Sequence, residues 1–499
     1  MQKAPGGDCH VDFKRLIART AVVIVAVAAG SCEKAAATRA SSTILRVGVA
    51  QLSATNPTQG LQQLSQILWL ENLMRTGEDG RMQPWLAESW ASSRDGRVLT
   101  VKLRSDVTFH DGSRLDATTV ASLLPAALRT SMGPMFSDVI SLRPVSPSSI
   151  EITFREASPF LLESLEAPIQ KAGSSLIGTG PFAVAPNSTT DLTAYSRYYL
   201  GPPAIRTVHV QTYPSIRTAW AEMLRDNLDM LWEVGPTALD SIQHSSNTSV
   251  FTFTRRYQHV IAFNPQAPVL ARREVRQALN FAIDRSSIVR NALNDYGIAS
   301  SGPVWPRHWA FRPELPQFTF DPKRAAATIN RYAPRLRFTC LVSPDSIDER
   351  IALEVKRQLA AVGVEMTVEE ASRDQIVERG THGQFEAAVE EVMSGPTLVR
   401  PYLMWHSNSP RNWANLGNLT VDAALDGVRH ASSEDAYKDA IAALQQAFMT
   451  DPPALFLAWS VRARAVNTRF HVVTEEGRDV LGTLRLWRPA TDERQASRH

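Results

Sequence analysis

Residues 86–113 read LAESWASSRDGRVLTVKLRSDVTFHDGS, and this segment decides the fold more than any other. Residues 98–103 alternate between two faces of an extended chain, which predicts a β-strand. The pairs Asp95-Gly96 and Asp111-Gly112 are turn signals on either side of it. Asp116 then stands where its carboxylate can accept an amide hydrogen at the start of a helix. The segment therefore predicts strands joined by tight turns and followed by a helix.

Strands and helices alternate through most of the remaining chain. Residues 336–342, 347–362 and 365–368 read as strand, helix and strand, which is a βαβ-like unit. Residues 272–293 have the apolar spacing of one long helix. At 499 residues, the chain exceeds the roughly 250–300 residues at which a single core stops growing. We therefore predict an α/β protein of two lobes that join near residues 255–265.

Composition and cysteine content exclude several classes of protein. The chain is 44% hydrophobic and 21% charged, with a formal charge of +3 and no long run of Lys or Arg. It therefore lacks the run of basic residues expected of a protein that binds nucleic acid. Cys9 and Cys32 belong to the N-terminal segment, which leaves Cys340 without a partner for a disulfide. Cys340 lies in an apolar alternating run, so we expect a buried strand residue.

The N-terminus has the features of a secretory signal. Three basic residues precede an apolar run at 21–29, far short of the roughly 20 residues that span a bilayer. Ala29-Gly30-Ser31-Cys32 resembles a bacterial lipobox, in which the cysteine is lipidated. We interpret residues 1–31 as a signal peptide and 32–43 as a tether that anchors an extracytoplasmic protein to the membrane through Cys32. The alternative is an ordinary cleaved signal in which Cys32 is incidental.

The sequence argues against an enzyme. It contains no His-Glu-x-x-His metal motif, no Gly-x-Ser-x-Gly elbow and no phosphate loop ending in Gly-Lys-Ser/Thr. His110-Asp111 could orient a catalytic base, but beside Gly112 it fits a strand end and a turn better. No two histidines have helical i, i+4 spacing within a predicted helix, so we expect neither a metal site nor a cofactor.

Several short segments resemble, in order, a known family. Besides residues 86–113, they are GTGPF at 178–182, FN at 263–264, VRQALN at 275–280 with AIDR at 282–285, and DPKRA at 321–325. Together they resemble the extracytoplasmic solute-binding proteins of peptide, dipeptide and nickel ABC importers, over about residues 44–475.

The resemblance implies a two-lobed periplasmic-binding-protein fold with an extra subdomain inserted in lobe I. Lobe I would comprise residues 44–65, 175–259 and 459–499, the inserted subdomain residues 66–174, and lobe II residues 260–458. It also implies that a ligand is enclosed by hinge closure and delivered to the membrane subunits of an ABC importer. We expect a monomer.

The family-like motifs are expected to serve the scaffold. Trp90, Phe109 and Phe182 should each bury a large apolar area in a core. Arg276 and Asp284, two turns apart on the long predicted helix, should fasten that helix into its lobe. The motifs thus identify the scaffold and leave the solute open.

One departure from the family concerns the ligand. Its peptide binders usually carry an acidic residue in a Tyr-x-Asp-Pro stretch, where it pairs with the free amine of the peptide, because an unpaired ammonium in a closed cleft is costly. Here Ser394-Gly395 stands at that place, with Glu390 and Glu391 as candidate substitutes. We therefore expect a ligand with an anionic or neutral polar group, a modified peptide or a small organic metabolite.

By the resemblance, residues 400–413 border the cleft, and they are rich in aromatic and polar groups. The candidate ligand contacts are Trp405, Asn412, Trp413, Arg400, Arg411, Gln51 and Ser53. The two arginines can hold a carboxylate through a paired fork. The alternative for each tryptophan is a place in the core.

The sequence therefore predicts a solute-binding lipoprotein that captures a peptide-like or other small polar ligand for an ABC importer. Two other classes stay open. A membrane-tethered regulatory or assembly lipoprotein could retain the fold without transport, and an occluded cleft would favour it. A secreted enzyme would be revealed by turnover of a ligand.

Overall fold

A computed structural model describes residues 43–50, 59–171, 173, 176–188, 190–234, 242, 244–344, 346–412 and 418–490. The predicted signal peptide, Cys32, Gln51, Ser53 and Trp413 lie outside these residues. The helices are α1 Gln59–Trp69, α2 Ala117–Met132, α3 Pro159–Ser164, α4 Ile216–Leu224, α5 Arg273–Phe281, α6 Arg285–Asn291, α7 Pro322–Tyr332, α8 Ser346–Ala360, α9 Arg373–Thr381, α10 Val399–Trp405, α11 Leu419–Arg429 and α12 Glu434–Thr450.

The strands vary widely in length, and two of them are more than twice as long as a usual strand. They are β1 Ile44–Ala50, β2 Glu71–Asn72, β3 Met74–Thr76, β4 Met82–Pro84, β5 Ala87–Ser92, β6 Val98–Leu103, β7 Val139–Ser146, β8 Ser149–Phe154, β9 Pro168–Ile169, β10 Phe182–Val184, β11 Asp191–Ala194, β12 Thr207–Tyr213, β13 Met230–Leu231, β14 Thr248–Phe263, β15 Gly297–Ala299, β16 Arg337–Val342, β17 Glu365–Glu370, β18 Ala387–Met393, β19 Ala454–Asn467, β20 Phe470–His471 and β21 Arg488–Pro489. The two long ones are β14 and β19.

One mixed sheet joins both halves of the molecule, and β14 and β19 form its centre. The strand order is β10-β11-β12-β1-β13-β19-β14-β18-β16-β17, with β15 paired to β19. Where β14 and β19 pair with each other, the register shifts between Thr254 and Gln258. Before the shift they lie beside β13, and after it β14 pairs with β18. The two halves, here called the β1 side and the β18 side, are therefore connected through two shared strands.

The βαβ unit predicted over residues 336–368 is confirmed. β16 and β17 run parallel in the sheet, and α8 connects them along the chain. Cys340 on β16 is fully buried, as expected from its apolar run. Burial raises the pKa of its thiol, which keeps the group protonated and unreactive.

A separate antiparallel sheet, in the order β5-β6-β8-β7, contains the segment on which the fold prediction rests. Strand β6 turns Leu99, Val101 and Leu103 into the core, which is the alternation read from the sequence. Asp116 caps α2 as predicted, and its carboxylate accepts a hydrogen bond from Thr119 N at 2.8 Å. This sheet and α2 form a compact layer within the predicted inserted subdomain.

Two of the three expected core anchors are confirmed. Phe109 and Phe182 are fully buried. Trp90 packs against the same core as Phe109 but is only partly buried, so the prediction holds in part for this residue. It lies on β5 at the edge of the four-stranded sheet, where its neighbours Ser89 and Ala91 are exposed.

The single long helix predicted at 272–293 was also wrong. The chain forms α5 and α6 instead, because Asp284 caps α6 by accepting a hydrogen bond from Ser287 N at 3.1 Å. Asp284 is therefore not on the helix that carries Arg276. Arg276 does fasten α5, since its guanidinium pairs with Asp451 and donates to the carbonyl oxygen of Pro452 at 3.0 Å.

The core of the four-stranded sheet continues into α10, α11 and α12 on the β18 side. Trp405 on α10 is fully buried in this shared core. Its ring centroid lies 5.2 Å from that of Phe456 and 6.1 Å from that of Phe448, in edge-to-face arrangements. The inserted sheet is thus attached to the β18 side by an apolar interface.

A buried carboxyl group lies within the same interface. Glu163 Oε2 accepts a hydrogen bond from Val399 N at 2.8 Å, and Oε1 accepts one from Tyr437 OH at 3.0 Å. Burial outweighs these bonds and raises the pKa of Glu163 to about 7. The group is therefore largely protonated in mildly acidic solution.

We expect Trp405→Ala to lower the free energy of unfolding by about 3–5 kcal/mol, because it removes a fully buried ring from its two aromatic neighbours, Phe448 and Phe456. Urea unfolding followed by circular dichroism measures this. Leu419→Ala is the control, since Leu419 is 87% exposed, and we expect a change within about 0.5 kcal/mol. Equal effects of the two substitutions would contradict the core position of Trp405.

Glu163 should make stability depend on pH. Its pKa is raised from an ordinary 4.5 to about 7, so its stabilising contribution is fully present below pH 4.5 and lost as pH rises through 7. Urea unfolding at pH 5 and at pH 8 gives the free energy of unfolding lost between these pH values. We expect Glu163→Gln to reduce this loss by an amount on the order of 2 kcal/mol. Exposed Glu365→Gln should leave the loss unchanged. An unchanged loss in Glu163→Gln would contradict this assignment.

Candidate ligand-binding site

A cavity of about 710 Å³ lies where β14 and β19 pass from one half of the molecule to the other. Its walls come from α1 with residues 71–85, from the crossing strands at 253–257 and 459–464, from the connection between β18 and α10, and from residues 475–485. The β1 side, the crossing strands and the β18 side therefore all contribute to its walls.

Glu166 joins two arginines of this cavity. Its carboxylate lies 2.5 Å from Arg256 Nη1 and 3.1 Å from Arg400 Nη2, and it accepts a hydrogen bond from Thr76 N at 3.1 Å. Burial alone would raise the pKa of Glu166, but the two guanidinium groups outweigh it and lower the pKa to about 2. Glu166 is therefore ionised throughout the physiological range.

Two further arginines of the cavity share Glu475. Arg478 Nε lies 3.4 Å and Arg75 Nη1 lies 3.7 Å from its carboxylate, which is 41% exposed. The Arg75 guanidinium also lies over the ring of Trp85, 4.6 Å from its centroid. These are long, solvent-reached contacts, weaker than those around Glu166.

Glu391 lies at the centre of an ion-pair network that spans the crossing strands. It accepts from Arg462 Nη2 at 2.7 Å and from Arg255 Nη1 at 3.1 Å. Arg462 Nε also lies 3.2 Å from the carboxylate of Glu233, which follows β13. Burial would raise the pKa of Glu391, but the neighbouring charges, Arg462 foremost, lower it to about 2.

The candidate substitutes for the missing acidic residue are thus both engaged. Glu391 already holds Arg462 and Arg255. Glu390 is buried, lies 3.2 Å from Arg373, and has its pKa raised to about 7 by that burial. Neither carboxylate lines the cavity.

Aromatic side chains complete the walls. Arg464 is held between Trp232 and Phe253, with its guanidinium carbon 3.7 and 4.7 Å from the two ring centroids. It also pairs with Asp479 at 2.6 Å, so it is fixed on both sides. These groups offer a solute flat apolar faces beside fixed charges.

The structure places the predicted ligand contacts in different surroundings. Arg400 lines the cavity, whereas Trp405 is enclosed in the core and presents no surface to a solute. Asn412 is buried and its side chain donates to the carbonyl oxygen of His406 at 3.3 Å. Arg411 is exposed and donates to the carbonyl oxygen of Thr130, away from the cavity walls. Trp413, Gln51 and Ser53 lie outside the described residues.

Sequence reasoning missed most of the charged groups around the cavity. Arg75, Arg256 and Arg478 are separated by up to about 400 positions, so no local spacing connects them. One signal was available: Arg255-Arg256 interrupts an apolar alternating run at the predicted join of the lobes. Two adjacent charged residues within a central strand are unusual, because charged side chains are seldom buried unless they are paired.

Two kinds of feature are absent from the described residues. No three His, Cys, Asp or Glu side chains are grouped there to hold a metal ion. No helix in the same part of the chain has the length and apolar character to cross a bilayer.

Comparison with known proteins identifies relatives of the chain. It is 26% identical over 304 residues to the nickel-binding periplasmic protein of Escherichia coli K12, covering 54% of this chain and 56% of the relative. It is 22% identical over 412 residues to the glutathione-binding protein GsiB of the same organism, covering 76% and 79%. The match to the nickel-binding relative thus spans only about half its length.

Solved structures confirm the two-lobed fold. NikZ of Campylobacter jejuni, in complex with Ni(L-His), superposes with a TM-score of 0.75 at 22% identity, covering 90% of this chain and 99% of NikZ. AppA of Bacillus subtilis, in complex with a nonapeptide, superposes with a TM-score of 0.71 at 19% identity, covering 90% and 100%. The predicted fold class, an α/β periplasmic-binding-protein fold, is therefore confirmed.

A family model settles the relationship. Residues 81–415, more than half of the chain, match the model described as bacterial extracellular solute-binding proteins, family 5 Middle. Because the match covers more than half of the chain, the chain belongs to family 5 of the bacterial extracellular solute-binding proteins, which are binding proteins and not enzymes.

Proposed function

We propose that this protein captures a peptide-like or other small polar solute in the cavity between its two sides and delivers it to the membrane subunits of an ABC importer. The observation that carries the proposal is the cavity itself. It lies at the crossing of β14 and β19, and groups from both sides of the crossing line it. Family membership supports a binding role.

Capture would proceed by closure about the crossing strands. Among the described strands of the central sheet, only β14 and β19 are shared by both halves, and their register shifts between Thr254 and Gln258. A solute that contacts both sides binds the closed form better than the open one and shifts the population towards it. The importer then recognises the closed shape.

The absence of a free carboxylate where the peptide binders of the family carry their acidic residue favours a solute with anionic or neutral polar groups. Glu390 and Glu391 are held by arginines, and Ser394-Gly395 offers no carboxylate to a peptide amine. A buried ammonium without a partner would cost several kcal/mol. The relatives are named for nickel and for glutathione, and those names describe the relatives only.

We also propose that the protein works outside the cytoplasm as a monomer held to the membrane by a lipid on Cys32. Residues 32–43 would then form a tether, and residues 1–31 a signal peptide whose removal makes the lipid-bearing Cys32 the N-terminus of the mature protein. The apolar run at 21–29 and the Ala29-Gly30-Ser31-Cys32 sequence support this.

Thermal-shift measurements test the solute preference. We expect N-acetylated dipeptides, opines or metal chelates to raise the melting temperature, because a ligand at 100 times its Kd adds about 2.7 kcal/mol to the stability of the folded state. Matched dipeptides with a free amine should give a smaller shift. Strong stabilisation by free-amine peptides, with none by their acetylated counterparts, would contradict the preference.

Cys32→Ser tests the anchor. Metabolic labelling with radioactive palmitate should label the unaltered chain, and the substitution should abolish the label and move the protein from the membrane to the soluble fraction. Cys9→Ser is the matched control and should change neither. If Cys32→Ser keeps both the label and the membrane location, the anchor is not on Cys32.

A further inference from the structure

We propose that Arg75, Arg256, Arg400 and Arg478 form one subsite for a solute that carries at least two anionic groups, either carboxylates or phosphates. The four are called the arginine cluster below. This proposal rests on the proposed function and specifies the class of solute that the cavity takes.

Charge imbalance is the first observation. The four guanidinium groups share only two carboxylates, those of Glu166 and Glu475. The other arginines at the crossing have carboxylate partners nearby. Arg464 pairs with Asp479. Arg255 and Arg462 share the carboxylates of Glu391 and Glu233. Two positive charges of the arginine cluster therefore have no carboxylate of their own among the described residues.

The guanidinium groups of the arginine cluster repel one another electrostatically. The pKa of Arg478 is lowered by burial, by Arg75 and by Arg256. Burial and the charge of Arg256 lower the pKa of Arg400 to about 10. Like charges repel, and the nearby carboxylates of Glu166 and Glu475 offset part of this repulsion. A bound anion would relieve the rest.

Unused hydrogen-bonding capacity is the second observation. Arg75 Nε is buried and has no hydrogen-bond partner within the described part of the chain. The Arg75 guanidinium is instead positioned over Trp85, which fixes its plane. A fixed guanidinium presents parallel donors, and carboxylates and phosphates match that fork.

The origin of the four residues couples binding to closure. Arg75 lies on β3 near the inserted sheet, Arg256 on the crossing strand β14, Arg400 on α10 of the β18 side, and Arg478 in the segment after β20. An anion held by all four arginines would connect β3, the crossing strand β14, α10 and the segment after β20. Closure over a neutral solute would instead desolvate two uncompensated charges, which is costly. The arginine cluster therefore both binds an anionic solute and disfavours closure over a neutral one.

The experiment uses the full chain after any bound solute has been removed by unfolding and refolding. The probes are N-acetyl-Glu-Glu, the neutral N-acetyl-Gln-Gln-amide of nearly the same shape, and pyrophosphate, each at matched ionic strength. We expect the acidic dipeptide or pyrophosphate to raise the melting temperature, and the neutral dipeptide to give no shift. Stabilisation by the dipeptide alone assigns carboxylates, and stabilisation by pyrophosphate alone assigns phosphates.

Variants locate the effect in the arginine cluster. Arg75→Gln with Arg478→Gln should weaken binding of the stabilising anion at least tenfold by calorimetry. Arg75→Lys, which keeps the charge and loses the fork, should weaken it less. Arg143→Gln is the control, because Arg143 is an exposed residue paired with Glu151 on the four-stranded sheet. Circular dichroism checks that each variant is folded.

Three results would overturn the subsite: equal stabilisation by the neutral dipeptide, no stabilisation by either anion beyond that of sodium chloride, or unchanged affinity in the folded double variant. Native mass spectrometry of the protein as purified separates this failure from a failure of the proposed function. A bound neutral or cationic solute would contradict the anion subsite but support the binding function, whereas a bound polyanion would support both proposals.

Discussion

The passage of β14 and β19 through both halves of one sheet is the constraint on which the rest of the structure depends. All other strands of that sheet belong to one side, and the register shift at residues 254–258 lies where the sides meet. Residues beside that shift are close to both sides at once. The cavity is therefore found at the only place in the described sheet where one strand pair can sense the position of both halves.

Electrostatics then explain why this place is so heavily charged. Alternation along β19 brings Arg462 and Arg464 to the same face, and the register shift in β14 allows Arg255 and Arg256 both to reach the cavity. Most of these charges are neutralised by carboxylates that cross the junction. The arginine cluster is the exception, and a solute that supplies the missing anions would complete the network and hold the closed form.

The sequence was sufficient for the scaffold and insufficient for the site. Local rules correctly predicted the alternation in β6, the Asp116 cap and the buried Cys340, because each depends on neighbours in the chain. The helix at 272–293 failed since Asp284 could equally continue a helix or cap a new one. The site depends on arginines brought together from distant segments, and burial of Trp405 follows from contacts with α12 and β19 that no spacing reveals.

The central claim is that solute binding closes the two sides about β14 and β19. Electron–electron resonance between spin labels on cysteines introduced at exposed Arg217 on α4 and exposed Glu378 on α9 measures the distance across the junction most directly. Cys9 and Cys32 are replaced by serine in the protein used for labelling, and the native Cys340 is buried, so it does not compete for label. We expect the distance distribution to become shorter and narrower when the solute-free protein is saturated with N-acetyl-Glu-Glu or pyrophosphate, whichever raises its melting temperature. Identical distributions in the two states would contradict closure as the mechanism of capture.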